Sequence, residues 1–411
     1  MSHRDRLLEV ATRALRGEIA DINVRSDGSA ALLNAGKDLM WTGYSPDAEL
    51  LKGLIVKTNG NRATELVAAC LPKFYNHTES ETNDASFARA LATPGNRLHF
   101  FVKEDGSLLR PYVHPDSGRV EFATRGMLQL TSGTNGYFDF CGAAADIARR
   151  KYPALLDRDL VRRYTFMCEL IHPNNVIITR YGNREDLPVL TIVDLATGEE
   201  LPRAEVEEMC RRYRLTPVAA YSPRSASFLD AITELRRSWA GTDIEGTVVA
   251  VEHPDWPTPF RLKVKGEHYL RLMRFKSRCT LRRAREIAET LPQPSWQNFR
   301  AHLLREESSL PEEVLMGYQQ HFETWREWDE GNFSRLAAYE AAYERLPARD
   351  ADQKTFAMSI ADHPDKSAFF SLRNSPDRAS ARARIIESLR RARRPELREE
   401  LYELVDPALA G

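Results

Sequence analysis

The chain predicts an α+β fold in which an antiparallel-sheet-rich domain is followed by an all-α domain. Three observations carry this. Strand-like runs dominate as far as about Arg274 without regular alternation with helices, which favours an antiparallel arrangement over a doubly wound parallel sheet. Turn chemistry, as at Asp116-Ser117-Gly118 and Thr197-Gly198, separates those runs. After Cys279 nearly every segment reads as helix.

In chain order, residues 1–98 combine a short opening helix with strand-like pieces such as Gly53-Leu54-Ile55-Val56-Lys57. Strands are expected at 98–103, 119–123, 164–171, 175–180, 188–194, 244–252 and 259–265, where β-branched and aromatic residues gather. Helical patterns mark 139–151, 203–213 and 227–239. Helix-start signals come next at Ser295, at Ser309-Leu310-Pro311-Glu312 and at Ser375-Pro376-Asp377, each opening a run rich in Ala, Leu, Glu and Arg. The change of character puts a domain boundary near 276–282, giving domains 1–278 and 279–411. Trp296, Trp325 and Trp328 fit core positions at helical spacing.

Formal net charge is −1, with 28% of residues charged, so a histone-like coating protein is disfavoured. A nucleic-acid partner would have to be gripped by a local basic groove. The five cysteines (Cys70, Cys141, Cys168, Cys210 and Cys279) are scattered without a close pair, which predicts free, mostly buried thiols rather than a zinc site. No apolar stretch approaches membrane-spanning length, and the polar start Met1-Ser2-His3-Arg4-Asp5-Arg6 lacks a signal peptide's apolar region. A cytoplasmic monomer without a membrane partner is expected.

Three islands carry the chemistry. Lys103-Glu104-Asp105-Gly106 closes the strand-like run His99-Phe100-Phe101-Val102; Glu245-Gly246 and Lys263-Val264-Lys265 lie in later apolar runs. Together they supply an amine to attack an α-phosphate, a carboxylate to hold a metal, and cations to steady phosphate charge. A lysine at its ordinary pKa is protonated and not nucleophilic. A metal on Glu245, with Lys263 and Lys265 close by, predicts surroundings that disfavour the charge on Lys103. Gly106 permits a tight turn, and Asp105 offers an acceptor within it. Alone, a Lys-x-Asp-Gly match arises by chance in about one chain in ten of this length, and reads as a hairpin turn.

Its company changes that reading. Ser107-Leu108 come directly after Gly106, and Leu71-Pro72-Lys73-Phe74-Tyr75-Asn76 lies upstream. Glu169-Leu170-Ile171-His172-Pro173-Asn174-Asn175, Ile244-Glu245-Gly246 and Leu262-Lys263-Val264-Lys265 lie downstream. In order and spacing these resemble the motifs of the nucleotidyltransferase superfamily of ATP-dependent ligases and capping enzymes. They most closely resemble those of single-strand-joining RNA ligases of the phage T4 RNA ligase 1 type.

The resemblance implies an ATP-dependent RNA ligase that joins RNA 5′-phosphate and 3′-hydroxyl ends, with cleaved tRNA as a substrate and the helical domain choosing it. Lys103 would take AMP from ATP, Glu169 would bind the ribose, and Glu245 would hold magnesium or manganese. Lys263 and Lys265 would contact the α-phosphate, and Lys73 the side of the leaving group. Asp105 and Gly106 would complete the nucleotide-binding turn. Where the family has an Arg-Gly pair this chain has Lys52-Gly53, which keeps a charge for the triphosphate but loses the bidentate fork. The expected adenine-stacking aromatic is not evident, since Val189-Leu190-Thr191-Ile192-Val193-Asp194 offers apolar residues only.

The rival readings are a DNA ligase, a GTP-dependent capping enzyme, and a non-catalytic RNA-binding relative. The helical tail argues against the first two, which append an OB-type barrel, and the intact lysines and glutamates argue against the third. Elsewhere the plainer readings lead. Thr131-Ser132-Gly133-Thr134-Asn135-Gly136 reads as a surface turn, and His172 and His268 as structural. His253-Pro254-Asp255 lacks further metal ligands. Thr124-Arg125-Gly126 either touches substrate phosphate or caps a hairpin. Arg378, Arg382, Arg384, Arg390, Arg391, Arg393 and Arg394 read as a solvated face pairing with Glu387, Glu396, Glu399 and Glu400, with RNA-phosphate contact as the sharper alternative.

Overall fold

The computed structural model describes residues 1–36, 39, 44–128, 138–225, 227–306, 310, 312–346 and 348–392. The chain divides into two compact units, Met1–Leu272 and Met273–Gly411. The first is α+β with mainly antiparallel sheets, and the described part of the second is helical.

Three sheets build the first unit. Strands β1 (Ile22–Asp27), β2 (Ala30–Ala35), β3 (Lys52–Asn59) and β4 (Arg62–Ala68) form an antiparallel meander in that order. The opening helix, His3–Leu15, starts where the Ser2 hydroxyl accepts the Asp5 amide. It lays Leu7, Val10, Ala11 and Ala14 against Leu33, Leu54, Val56 and Leu66 of that sheet.

The remaining strands are β5 (Tyr75–Asn76), β6 (Arg97–Lys103), β7 (Ser107–Val113), β8 (Val120–Thr124), β9 (Tyr164–Leu170), β10 (Val189–Asp194), β11 (Glu199–Glu200), β12 (Ala220–Tyr221), β13 (Gly246–Glu252) and β14 (Phe260–Lys265). One sheet has the order β11-β10-β9-β7-β8, the other β12-β6-β13-β14-β5, in which β14 and β5 run parallel.

Side-chain alternation gives the last sheet two unlike faces. Phe100, Val249, Val251, Leu262 and Val264 form one face and pack with Ala231, Ile232, Leu235 and Trp239, from the helix Phe228–Ser238 and its C-terminal end, and with Phe87 and Ala90 of the helix Glu81–Ala92. Each large apolar side chain buried there contributes about 1.5–3 kcal/mol. By the same alternation Phe101, Lys103, Val248, Lys263 and Lys265 belong to the opposite face.

Two expectations change. Residues 175–180 are a loop and not a strand: past Leu170 only a single bridge, Ile171 to Asp186, continues the pairing. The unit boundary falls at Leu272/Met273 and not after Arg278. The helix Glu267–Arg278 runs across it, and Phe275 and Cys279 pack in the helical unit's core. Two features have no counterpart among the sequence-based expectations: the pairing of β7 with both β8 and β9, and the four-stranded opening sheet.

Among the described residues the helical unit has two cores. Phe299, Tyr318, Phe322 and Trp325 centre the first, with Trp296 and Trp328 packed beside them. Leu336, Phe356, Phe369 and Ile385 centre the second, and the helix Glu312–Glu344 supplies both. Arg378 bonds Glu340 and Glu344, and Arg390 makes a two-pronged bond to Asp329 at 2.7 Å, so these arginines answer acids on the long helix. Arg393, Arg394, Glu396, Glu399 and Glu400 lie outside the described residues, as does the 131–136 turn. All five cysteines are free. Among the described residues no helix is long and apolar enough to cross a membrane.

Candidate active site

Strand register brings the three islands together. Gly246 of β13 pairs with Lys103 of β6 on one side and Lys265 of β14 on the other; two residues on, Val248 pairs with Phe101 and Lys263. Strict alternation would send Glu245 to the apolar face. Gly246, at φ 144°, is in the region that favours glycine, and there the chain departs from alternation so that Glu245 meets the lysines. Its Oε2 lies 2.7 Å from Lys103 Nζ and its Oε1 3.1 Å from Lys265 Nζ, with the Glu245 side chain 4% exposed. Lys263 Nζ sits 4.7 Å over the Phe74 ring.

These neighbours set the charge states. Burial alone would raise the Glu245 pKa, but Lys103 and Lys265 hold it below the usual carboxylate value. Burial would lower that of Lys103, yet above all the Glu245 carboxylate keeps it above its ordinary value. Lys103 is therefore an ammonium here, because a carboxylate at 2.7 Å outweighs desolvation; the expected loss of its charge applies with a metal on Glu245. Lys263 goes the other way, pushed well below its usual pKa by burial and then by Lys103, Lys73 and Lys265. Glu169, on β9 opposite Leu108, is pushed up to about 8 mainly by burial, with Lys103 opposing. The Glu245 carboxylate thus meets both Lys103 and Lys265, an arrangement suited to a phosphate chain.

The turn after Lys103 is clamped. The Asp105 amide donates to the Tyr181 hydroxyl at 2.7 Å. Its buried carboxylate accepts the Ile178 and Thr179 amides, both at 2.7 Å, and the Tyr269 hydroxyl at 2.6 Å. Both carboxylate oxygens of Asp105 thus face protein donors, so this predicted nucleotide contact acts as an anchor for the 175–181 loop. Gly106 packs on the Leu170 carbonyl, where a side chain has no room. Glu104 pairs with Arg184 at 3.2 Å. Asn175 bonds Ser107 and the Leu170 carbonyl, so two of the sequence motifs touch directly. The same loop reaches the approach to Glu245, since the Thr179 hydroxyl donates to the Asp243 carbonyl at 2.6 Å. Tyr181, Arg184, Asp243 and Tyr269 were missed in the sequence because nothing local marks their long-range bonds.

A second basic set adjoins the first. Lys52 Nζ donates to the Tyr44 hydroxyl at 3.3 Å and lies 4.9 Å over its ring. Lys73 sits over the Tyr75 ring at 4.6 Å and the Tyr44 ring at 5.5 Å. Burial, then Arg125 and Lys73, push Lys52 down to about 7. Lys73 is lowered by burial, partly offset by Glu79. Since Lys73 also acts on Lys263, the two sets are electrostatically continuous, and Arg125 belongs with them. His172 and His268 make local contacts, with Glu185 at 3.5 Å and Arg271 at 3.2 Å. Ile192 is fully buried.

A family model described as RNA ligase, of the T4 type 1, matches residues 50–269. Among solved structures the chain is similar to a provisionally assigned ATP-dependent DNA ligase from Aquifex aeolicus, at 18% identity over 82% of this chain and 80% of that one, with a TM-score of 0.45. It is also similar to an archaeal ATP-dependent RNA ligase, at 15% identity over 94% of this chain and 98% of that one (TM-score 0.44). A Naegleria gruberi RNA ligase variant with ATP and Mn aligns at 15% identity over 61% of this chain and 76% of that one (TM-score 0.36). A search of curated protein sequences gave no match.

Proposed function

Since the chain belongs to the RNA ligase family, we propose that it seals RNA ends at the expense of ATP, carrying AMP covalently on Lys103. The observation that supports this most directly is the Glu245 bridge, which holds Lys103 and Lys265 on one carboxylate beside buried Lys263. In the first step the Lys103 amine, having lost its proton, attacks the α-phosphorus of ATP. A nitrogen–phosphorus bond forms and the bond to pyrophosphate breaks. AMP then passes to an RNA 5′-phosphate, freeing Lys103, and a 3′-hydroxyl displaces AMP as the phosphodiester forms. Each step is displacement at phosphorus, so positioning and charge neutralisation by the lysines do most of the work.

Glu169, neutral at pH 7, suits a hydrogen bond to a ribose hydroxyl. Lys265 and Lys263 would face the α-phosphate, and Lys52, Lys73 and Arg125 the leaving pyrophosphate. Among the described residues no group of three or more His, Cys, Asp and Glu side chains could hold a metal. Magnesium or manganese would therefore be held by Glu245 with phosphate oxygens and water, a donor set that suits magnesium. Bound there, it would supply positive charge to the α-phosphate and weaken the carboxylate's hold on the Lys103 proton. We read the natural substrate as broken tRNA, selected by the Met273–Gly411 unit, and the enzyme as a cytoplasmic monomer in RNA repair.

Label transfer tests the first step. Wild type incubated with magnesium and α-labelled ATP should retain label through denaturing electrophoresis, and Lys103→Ala should retain none. Absence of label on wild type that carries no AMP beforehand would refute the lysyl-adenylate.

A further inference from the structure

Arg110 lies in β7, opposite Ala123 of β8, and is fully buried. A guanidinium taken out of water normally finds a carboxylate or several carbonyls, because an unpaired buried charge is costly. Arg110 has one such bond: its Nη2 donates to the Gly53 carbonyl. Its Nε and Nη1 have no hydrogen-bond partner among the described residues. The acidic groups acting on it are the Cys70 thiol and the Tyr112 hydroxyl, and burial keeps both in their neutral forms. Beyond the Gly53 carbonyl, no carboxylate among the described residues compensates this charge.

The place of the charge is informative. Gly53 comes directly after Lys52, and a Cβ added to Gly53 would lie 2.6 Å from the Arg125 carbonyl oxygen and 3.1 Å from Arg110 Nη2. The start of β3, the turn carrying Arg125 and the Arg110 guanidinium therefore meet at one point, flanked by the two cations that press on each other. Lys52 and Arg125 repel each other there, and the Arg110 guanidinium lies against the backbone between them.

We propose that Arg110 is a positioning residue for a linear polyphosphate: it fastens the Lys52–Gly53 backbone against the Arg125 turn and adds an uncompensated positive charge beneath it. The inference rests on the reading of Lys52 and Arg125 as the cradle of the ATP triphosphate. Arg110 should then matter when ATP is consumed and not when RNA already bearing AMP is sealed.

The test compares full-length wild type, Arg110→Met and Arg110→Lys. Calorimetric binding of inorganic tripolyphosphate should weaken about tenfold in Arg110→Met and less in Arg110→Lys. The KM for ATP in label transfer should rise by a similar factor with the rate at saturating ATP little changed, and sealing of chemically adenylylated RNA should stay within about threefold. The melting temperature of Arg110→Met should hold or rise, since an unpaired buried charge gives way to an apolar chain. Unchanged tripolyphosphate binding overturns the proposal. So does a parallel loss of sealing and melting temperature, which would mark a residue needed only for the fold. If tripolyphosphate binding depends on Arg110 while wild type takes no label from ATP, the ligase reading falls and the assignment of Arg110 stands.

Discussion

Glu169 and Glu245 are both buried carboxyls, yet they shift in opposite directions because Glu245 pairs directly with Lys103 and Lys265 while burial dominates at Glu169. The difference has a pH signature. Glu169 titrates at about 8 in the folded chain, against an ordinary value of 4.5. The folded state thus binds its proton more tightly than the unfolded state. The resulting stability is complete below the unfolded pKa and is lost as pH rises through the folded one. Glu169→Gln keeps a neutral, similarly shaped side chain at every pH. Its melting temperature relative to wild type should increase from about pH 5 to about pH 8.5; a gap that stays constant or shrinks would mean an ionised carboxyl at neutral pH. Residue types at the site were legible in the sequence, because lysine and glutamate are what the chemistry requires. Charge states were not. That of Lys103 depends on direct contact with Glu245, which lies just before β13, far along the chain, and which by itself favours the ammonium.

Among the elements, strands with strong β-branched and aromatic content were readable, including β6, β9, β10, β13 and β14. The 175–181 loop was not. Val176, Ile177 and Ile178 look like a strand, but this stretch is held by the Asp105 carboxylate and Asp243 rather than by a ladder. A side-chain anchor of this kind leaves no periodic trace. Asp105→Ala tests it. Without the carboxylate the Ile178 and Thr179 amides and the Tyr269 hydroxyl lose their common acceptor, and a lost buried bond costs about 1–3 kcal/mol. Hydrogen exchange at Ile178 and Thr179 should accelerate by about tenfold or more, with Phe166 and Met167 in the neighbouring β9 unaffected. Equal acceleration in β9 would show global destabilisation instead of a released loop.

For the whole molecule, the near-zero net charge hides a concentrated cluster of Lys52, Lys73, Lys103, Lys263 and Lys265, which only folding assembles. Two units with separate cores should also melt separately. Scanning calorimetry is expected to resolve two transitions, and ATP should raise the one belonging to Met1–Leu272 while leaving the other in place. A single transition that moves as one with ATP would show that the units unfold cooperatively. The change to helical character was legible because it extends over the whole remainder of the chain after Cys279. The boundary itself was blurred because the helix Glu267–Arg278 runs through it without a break.

The double register of Gly246, with Lys103 on one side and Lys265 on the other, makes the β13–β14 hairpin a ruler for the chemistry. Side chains change face at every residue, so inserting one residue at the start of β14 would turn Lys263 and Lys265 toward the helices and Leu262 and Val264 toward the face that Lys103 occupies. The tip of the hairpin, around Asp255 to Pro259, can lengthen without that penalty. Length variation is therefore expected to collect at the tip and to avoid the strands, so the hairpin can drift in sequence but not in count.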